Sequence, residues 1–487
     1  MEIGTRGRRL IALIPLAVLV ALQGLDIAVF GGDSIQGPSQ VALLAAAGTC
    51  AALSMWLYKT PWKAFEQSVA GHVSDVSSAI IILLMIGAIS GTWMVSGIVP
   101  ALICYGLKII SPKVFLLTAC VLCSVVSVVT GSSWTTIATV GVALLGVGRA
   151  EGFSDAMTAG AIISGAYFGD KISPLSDTTV LASSINKVDL FVHIRYMLQT
   201  TGLSMGIALI AFTIIGLCHG NADQGQMVIY SEVLRARFNI TPWLMVVPVL
   251  TGVLIWRKQP AIIILAASAL MAGVAALIFQ PDILTGIGAG ITEGGRAKLL
   301  FSGMTESIYN TVSIDTGNAQ VNQLVTSRGM RGMLDTIFLI LCAMCFGGCM
   351  RCSGMIADLA GVLTPLTRTR TGLVGSTVLT GTALNGIISD QYLAIILTSN
   401  LCRESFEKEG YERRLLSRSV EDSATVTSPL YPWSSCGMTQ ATILSVPTLA
   451  YAPFCFFNIL SPLMSLLVAA IGWRIVRKPM ETGQESF

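Results

Sequence analysis

The stretch GDKISPLSDTTVLAS at 169–183 sets Asp170, Lys171 and Asp177 among glycine, proline and hydroxyl side chains. The sequence on either side is apolar over long distances. Ionisable groups at membrane depth are costly, so they face a cavity, pair with one another or handle an ion. Gly169 and Pro174 interrupt a helix there, which frees carbonyls and hydroxyls to act as ligands. Asp170 and Asp177 would share one face of a continuous helix, but Pro174 favours a broken segment. Asp177-Thr178-Thr179 can then cap the helix that follows, and Lys171 can pair with Asp170.

Composition puts this stretch inside a membrane. Of 487 residues 53% are apolar and 12% charged, about half the charged share of a soluble protein. Mean hydropathy is +0.73. Apolar runs at 10–30, 41–57, 114–129, 201–217, 262–279 and 459–471 approach the roughly 20 residues a span needs, and the whole pattern predicts about 12 spans. The expected fold is an all-α polytopic membrane protein. A net charge of +3 and a pI near 8.2 argue for no nucleic-acid partner. Arg6, Arg8 and Arg9 precede the first span, which reads as a signal anchor, and Arg474, Arg477 and Lys478 follow the last. The positive-inside rule therefore places both termini in the cytoplasm and makes the span count even.

The chain also repeats itself. Ser96-Gly97-Ile98 matches Ser353-Gly354-Met355, TGSSW at 130–134 matches TGTAL at 380–384, and GAYFGDKIS at 165–173 can be laid against SRSVEDSAT at 417–425. The last alignment sets Asp170 against Asp422. Weak internal symmetry with interrupted hydrophobic segments in matching places is the signature of secondary transporters, with broken helices and re-entrant hairpins in each half. The organisation that follows is N-terminal spans at 1–60, a first repeat at 61–218, a linker with central spans and a polar segment at 219–332, a second repeat at 333–476 and a cytoplasmic tail at 477–487. Within the linker, 220–240 reads as an exposed loop and 281–332 as a loop with an interfacial or re-entrant helix, with Glu306, Asp315 and Asn318 in solvated positions.

A hard cation wants several oxygens from carboxylates, hydroxyls and carbonyls. The first half offers Ser132, Thr135, Asp170, Ser173, Asp177, Thr178 and Thr179. The second offers Asn385, Asp390, Glu421, Asp422, Ser423 and Thr425. A hard cation is expected at Asp170, Asp177 and Asp422, although Glu421, with Arg413, Arg414 and Arg418 nearby, also reads as part of a cytoplasmic loop. Enzymatic chemistry has little support: His72, His193 and His219 are single and most simply interfacial, and no nucleophile elbow or phosphate loop occurs. The run CAMCFGGCMRC at 342–352 has cluster-binding spacing, but on a helix Cys342, Cys345, Cys349 and Cys352 form one stripe, which small side chains for close packing explain.

GLKIISPKVF at 106–115, TGSSWTTIATVGVALLGVG at 130–148, AGAIISGAYFGDKISPLSDTT at 159–179 and DLFVHIRYML at 189–198 resemble the NhaC-type sodium/proton antiporters. TGNAQV at 316–321, SDQYLAI at 389–395, SRSVEDSATVTSPLYPW at 417–433 and VPTLAYAPFCFFN at 446–458 are similar to that family's later segments in the same order. The resemblance covers nearly the whole chain. It implies a bacterial inner-membrane carrier of two inverted repeats that exchanges Na+ for H+ through a shared carboxylate, with Asp170 the leading candidate. It implies no cofactor, with Na+, H+ and the bilayer as partners, and it allows a homodimer. Two positions depart from the family: Val180 and Ser434 stand where asparagines are usual. The family also contains sodium-coupled exchangers of malate and lactate, and the superfamily carriers of amino acids. Coupled transport of a small carboxylate or an amino acid is therefore the alternative, and a membrane redox protein using the cysteine stripe is a remote third.

Overall fold

The computed structural model describes residues 5–30, 37–75, 77–109, 111–174, 176–218, 224–257, 259–318, 321–322, 325–356, 358 and 369–475. The expected tail at 477–487 and His219 lie outside them. Three helices open the chain: α1 (Thr5–Phe30), α2 (Pro38–Leu57) and α3 (Trp62–Asp75). The first half continues with α4 (Ser77–Val95), α5 (Ile98–Ile109), α6 (Phe115–Thr130), α7 (Ser133–Thr136), α8 (Val142–Ala150), α9 (Asp155–Ile172), α10 (Asp177–Ile185) and α11 (Leu190–Cys218). Centrally lie α12 (Gln224–Arg237), α13 (Val246–Trp256), α14 (Ala261–Phe279), α15 (Pro281–Ala289) and α16 (Arg296–Tyr309), then a short antiparallel pair, β1 (Val312–Ser313) and β2 (Thr326–Ser327). The second half carries α17 (Leu334–Cys352), α18 (Arg370–Ile388), α19 (Gln391–Lys408), α20 (Arg413–Val420), α21 (Ser435–Leu444), α22 (Thr448–Tyr451) and α23 (Phe456–Ile471).

Among the described residues seven helices are long and apolar enough to cross a membrane singly. Three bent pairs, Ile80–Val95 with Ile98–Gly106, Ile229–Arg237 with Pro242–Leu254, and Thr448–Phe454 with Phe456–Ile471, raise the number to as many as ten. The expected twelve is not reached, and the reason is local. A π-helical turn at Ile137–Gly141 separates α7 from α8, Pro174 separates α9 from α10, and another π-helical turn at Glu421–Thr425 ends α20. Each piece is too short or too polar to register as a span.

The linker is more ordered than its polarity suggests. The region at 220–240 contains helix α12, which buries Tyr230 and Leu234, in place of the expected exposed loop. In 281–332, α15 and α16 pack so closely that a methyl group added at Gly288 would lie 2.1 Å from the Leu299 carbonyl oxygen. Glu306 is half-buried on α16, where Asn310 donates to it, whereas Asp315 is exposed and accepts from the Gly317 N–H and the Asn322 amide. His72 and His193 are buried, not interfacial; His193 meets the Ser417 hydroxyl at 2.6 Å. The cysteine stripe runs along α17, whose neighbours are α2 and α3, and Cys50 on α2 reaches Ser353 at 3.5 Å.

Backbone landmarks recur at a constant spacing. Left-handed residues pair as Gly131 with Ser389, Gly152 with Gly410 and Lys187 with Ser445, each 258 residues apart (410 − 152). Helix caps follow suit: Ser132 and Asp390, then Ser176 and Ser434, each accept from an N–H three residues on. The turns at Gly97 and Gly354 also correspond, at a spacing of 257, so the Ser-Gly match seen in the sequence holds. The other two matches shift. At a spacing of 258 TGSSW lies against Ile388–Tyr392, and Asp170 lies against Ser428 rather than Asp422.

Lipid tails are as apolar as leucine, so close backbone approach, not water exclusion, drives helices together here. One tight crossing joins α6 to α9, where a methyl group at Gly165 would lie 2.1 Å from the Cys120 carbonyl oxygen and one at Gly169 2.4 Å from that of Ser124. Glycine is required at both points because backbone cannot give way. This crossing delivers the end of α9, and with it Asp170, against the break between α6 and α7.

The turn between α8 and α9 holds Glu151, buried with neither carboxylate oxygen hydrogen-bonded, and burial pushes its pKa up to about 8.

Two expectations follow. Gly165→Val should lower the melting temperature and the folded yield in detergent, overpacking costing about 1–3 kcal/mol or more, whereas Gly202→Ala, with open space around it, should not. Between pH 4.5 and 8 the folded state keeps a proton on Glu151 that the unfolded chain has lost, so its contribution to stability falls as pH rises through that window. Glu151→Gln should remove this slope; thermal melts of both proteins at pH 5 and pH 8.5 should differ most at the higher pH.

Candidate functional site

Two helix interruptions build the site in the first half. Helix α6 ends on Gly131 in the left-handed conformation, and Ser132 caps the helix that restarts at α7, accepting from the Thr135 N–H at 3.2 Å and from its hydroxyl at 3.1 Å. Helix α9 ends at Ser173, because the residue before a proline leaves the helical region. Ser173 donates to the Val128 carbonyl at 2.7 Å, which ties this end back to α6. Asp170, in the last turn, turns one carboxylate oxygen, Oδ2, to Ser133: the backbone N–H at 3.1 Å and the hydroxyl at 2.7 Å. A helix N-terminus and two donors thus stabilise a charge at Asp170.

The cap of α10 is Ser176 and not Asp177. The Ser176 hydroxyl accepts from the Thr179 N–H at 3.5 Å, and the Thr178 hydroxyl stands 3.0 Å from it. Asp177 is the first residue of the helix and is exposed, as is Pro174. Thr179 turns inward and donates to the Lys171 carbonyl at 2.9 Å, closing the loop between α9 and α10. Tyr392 on α19 lies within electrostatic range of Asp170, Asp177 and Asp390, so the two halves meet here. Asp390 itself caps α19 and accepts from the Leu393 N–H at 2.9 Å.

The 258-residue spacing extends to side chains. Where Ser133 donates to Asp170 in the first half, Ser428 donates to the Gln391 amide oxygen at 3.2 Å in the second. Where the Ser127 hydroxyl donates to the Ala166 carbonyl at 2.6 Å, the Asn385 amide donates to that of Ala424 at 2.6 Å. Asn385 also holds the Thr427 hydroxyl, so its amide nitrogen pins the broken helix. The second half therefore keeps the scaffold of the Asp170 contact with neutral groups in place of the carboxylate.

Asp422 has a different occupation. Lys171 pairs with it and not with Asp170, both side chains having no exposure. On the same oxygen, Oδ1, Asp422 accepts from Thr200 at 3.0 Å and Ser461 at 3.3 Å, while Lys171 also donates to Ser461 at 2.9 Å. Arg418, one turn earlier and equally buried, approaches Asp422 Oδ2 at 3.8 Å and stacks on the Tyr196 ring at 4.8 Å. Glu421 has no exposure, which removes the cytoplasmic-loop reading; the Thr425 hydroxyl stands beside its carboxylate. Ser423 donates back to the Ser419 carbonyl of its own helix.

The structure thus brings Ser132, Thr135, Asp170, Ser173, Asp177, Thr178 and Thr179 around one pair of helix breaks, and Asn385, Glu421, Asp422, Ser423 and Thr425 along another. It does not bring Asp170, Asp177 and Asp422 into one set: among the described residues no three His, Cys, Asp or Glu side chains are grouped to hold a metal ion. Sequence reasoning missed Ser133, Thr200 and Ser461. It also misplaced Arg418, although Arg418 and Asp422 stand four apart on one helical face, a spacing legible in the sequence.

Comparison with known proteins adds an independent line. A model of the Na+/H+ antiporter family matches residues 7–180 and 165–473. The malate-2H(+)/Na(+)-lactate antiporter of Bacillus subtilis (strain 168) is 34% identical over 414 residues, 84% of this chain and 85% of that protein. The Na(+)/H(+) antiporter NhaC of the same organism is 34% identical over 425 residues, 86% and 89% of the two chains. The arginine/ornithine antiporter ArcD of Halobacterium salinarum is 29% identical over 481 residues, 98% and 94%.

Removing one partner of a buried ion pair leaves an uncompensated charge at a cost of about 3–5 kcal/mol. Asp422→Asn and Lys171→Met should each lower the melting temperature and yield of the purified protein, and the double variant Lys171→Met/Asp422→Asn should lose clearly less than the two single losses together. Strictly additive losses would mean that the pair is not coupled.

Proposed function

The chain belongs to the Na+/H+ antiporter family, and from that premise we propose that it exchanges Na+ for H+ across the bacterial inner membrane, with Asp170 as the carboxylate that binds either ion but not both. One observation carries the choice of Asp170. Its carboxylate is held by neutral donors, Ser133 and Ser176, next to the exposed Pro174 and Asp177, whereas Asp422 is committed to Lys171, Thr200 and Ser461. A carboxylate that is held but not neutralised can take a cation; one neutralised by a buried ammonium cannot without breaking the pair. The hydroxyls of Ser132, Thr178 and Ser176 and the loop carbonyls are the further oxygens a sodium ion would use.

In this reading the exchange follows from competition. A proton on Asp170 removes the charge that holds Na+, and Na+ excludes the proton. The two halves are inverted repeats whose broken helices meet at Asp170, a reading supported by the recurrence of caps and left-handed turns at 257 and 258 residues. Counting the interrupted segments as crossings restores about 12 spans, an even number, and both termini lie in the cytoplasm.

A second reading is coupled transport of a small carboxylate or an amino acid, favoured by the names of the malate/lactate and arginine/ornithine relatives. Proteoliposomes with an imposed pH gradient separate the two. Collapse of the gradient by Na+ alone supports exchange of the two ions; a strict requirement for malate, lactate or an amino acid supports the second reading.

Asp170→Asn keeps the size of the side chain and removes its charge, so it should abolish exchange while the protein remains in the membrane with a near wild-type melting temperature. In the wild type the apparent KM for Na+ should rise as pH falls, by about tenfold or ~1.4 kcal/mol per pH unit once the carboxylate is mainly protonated. A KM that stays flat, or normal exchange by Asp170→Asn, would remove Asp170 from this role.

A further inference from the structure

Away from Asp170 the protein holds a half-open pocket of about 540 Å³, bounded by α4, α5, α8, α12, α21, β2 and the start of α9. Its charged lining is Arg149, Asp155 and Arg328, with Ser90, Thr326 and Ser445 supplying hydroxyls. That volume is far larger than a hydrated sodium ion needs and falls within the range of about 300–1,000 Å³ typical of sites for small organic molecules.

The charges decide what could enter. Asp155 is already satisfied by Arg149, which grips it with two hydrogen bonds of 2.7 and 2.8 Å. Arg328 is exposed to the cavity, and among the described residues no carboxylate forms an ion pair with it. The uncommitted charge is therefore positive, carried by a guanidinium whose planar fork suits a carboxylate or phosphate. The equivalent place in the second half, 258 residues on, also holds an ion pair, Glu407 with Arg413, in which the signs are exchanged. The first-half pair is the one that lines the cavity.

We propose that this cavity is a binding site for a small anion bearing a carboxylate or phosphate group. Arg328 holds the oxyanion, and Arg149, half-exposed in its pair, supplies a second guanidinium by sharing or releasing Asp155. The Arg149–Asp155 pair spans the turn from α8 to α9, so an anion bound there loosens the turn that leads into the Asp170 helix. Two sources share this chemistry, a soluble organic anion and an anionic lipid headgroup.

The test uses the full chain. Melting temperature and isothermal titration would be followed with malate and with inorganic phosphate on detergent-purified protein, and the melt repeated in nanodiscs of phosphatidylcholine with or without phosphatidylglycerol. Wild type should be stabilised by malate, by phosphate or by phosphatidylglycerol, and Arg328→Ala should weaken the effective one at least tenfold while its Na+/H+ exchange stays at the wild-type rate. Arg328→Lys, which keeps the charge without the fork, should fall between them. A response to malate or phosphate assigns the soluble source, and one to phosphatidylglycerol alone the lipid source. No response of the wild type to any of the three, or an Arg328→Ala protein that responds as well as wild type, would overturn the proposal. Because the readout is binding, its failure is distinguishable from failure of the exchange reading, which would show as no Na+-driven collapse of the gradient.

Discussion

The ion pair between Lys171 and Asp422 joins the two halves of the molecule at a point with no solvent exposure, and the rest of the interior is arranged around it. Neither charge could stay there alone. Thr200 from α11 and Ser461 from α23 converge on the same carboxylate oxygen, and Arg418 stands behind the other. Four segments are drawn to one point by the need to satisfy two charges in a medium that cannot solvate them. With Lys171 engaged, its sequence neighbour Asp170 points elsewhere on the helix, toward Ser133 and Ser176. The pair thereby separates adjacent residues: Lys171 locks the halves, and Asp170 carries no buried counter-charge, as the proposed exchange requires.

Much of the fold was legible in the sequence. The apolar runs near 10–30, 41–57, 114–129, 201–217 and 262–279 are helices of spanning length, and the breaks near Gly131 and Pro174 lie where glycine and proline placed them. The repeat was visible but its register was not. Small residues in apolar sequence match at many offsets, so TGSSW found TGTAL at 250 residues when backbone caps and left-handed turns require 258. Only the Ser-Gly turn at 96–97 and 353–354 was specific enough to align correctly, because a left-handed glycine after a hydroxyl is a conformational and not merely a compositional signal.

The candidate site was half legible for the same reason. Asp170 and its hydroxyl neighbours lie within a single interrupted stretch, where spacing is informative. The partners of Asp422 are 222, 251 and 39 residues away, and no local pattern encodes such contacts. Burial was misread wherever a charge or histidine sat near arginines: Glu421, Arg418 and His193 look like surface groups by composition, and only the packing of α20 against α11 and α19 hides them.

Lys171 precedes Asp422 by 251 residues, and the chain is made in order. At roughly 5–20 residues per second the ribosome needs on the order of ten to fifty seconds between them. For that interval the first half carries an ammonium group whose counter-charge does not yet exist. The buried contact that Lys171 makes with Asp422 in the finished molecule cannot form in that interval. The closing of this contact is therefore a late event, which requires both halves to be present in the bilayer.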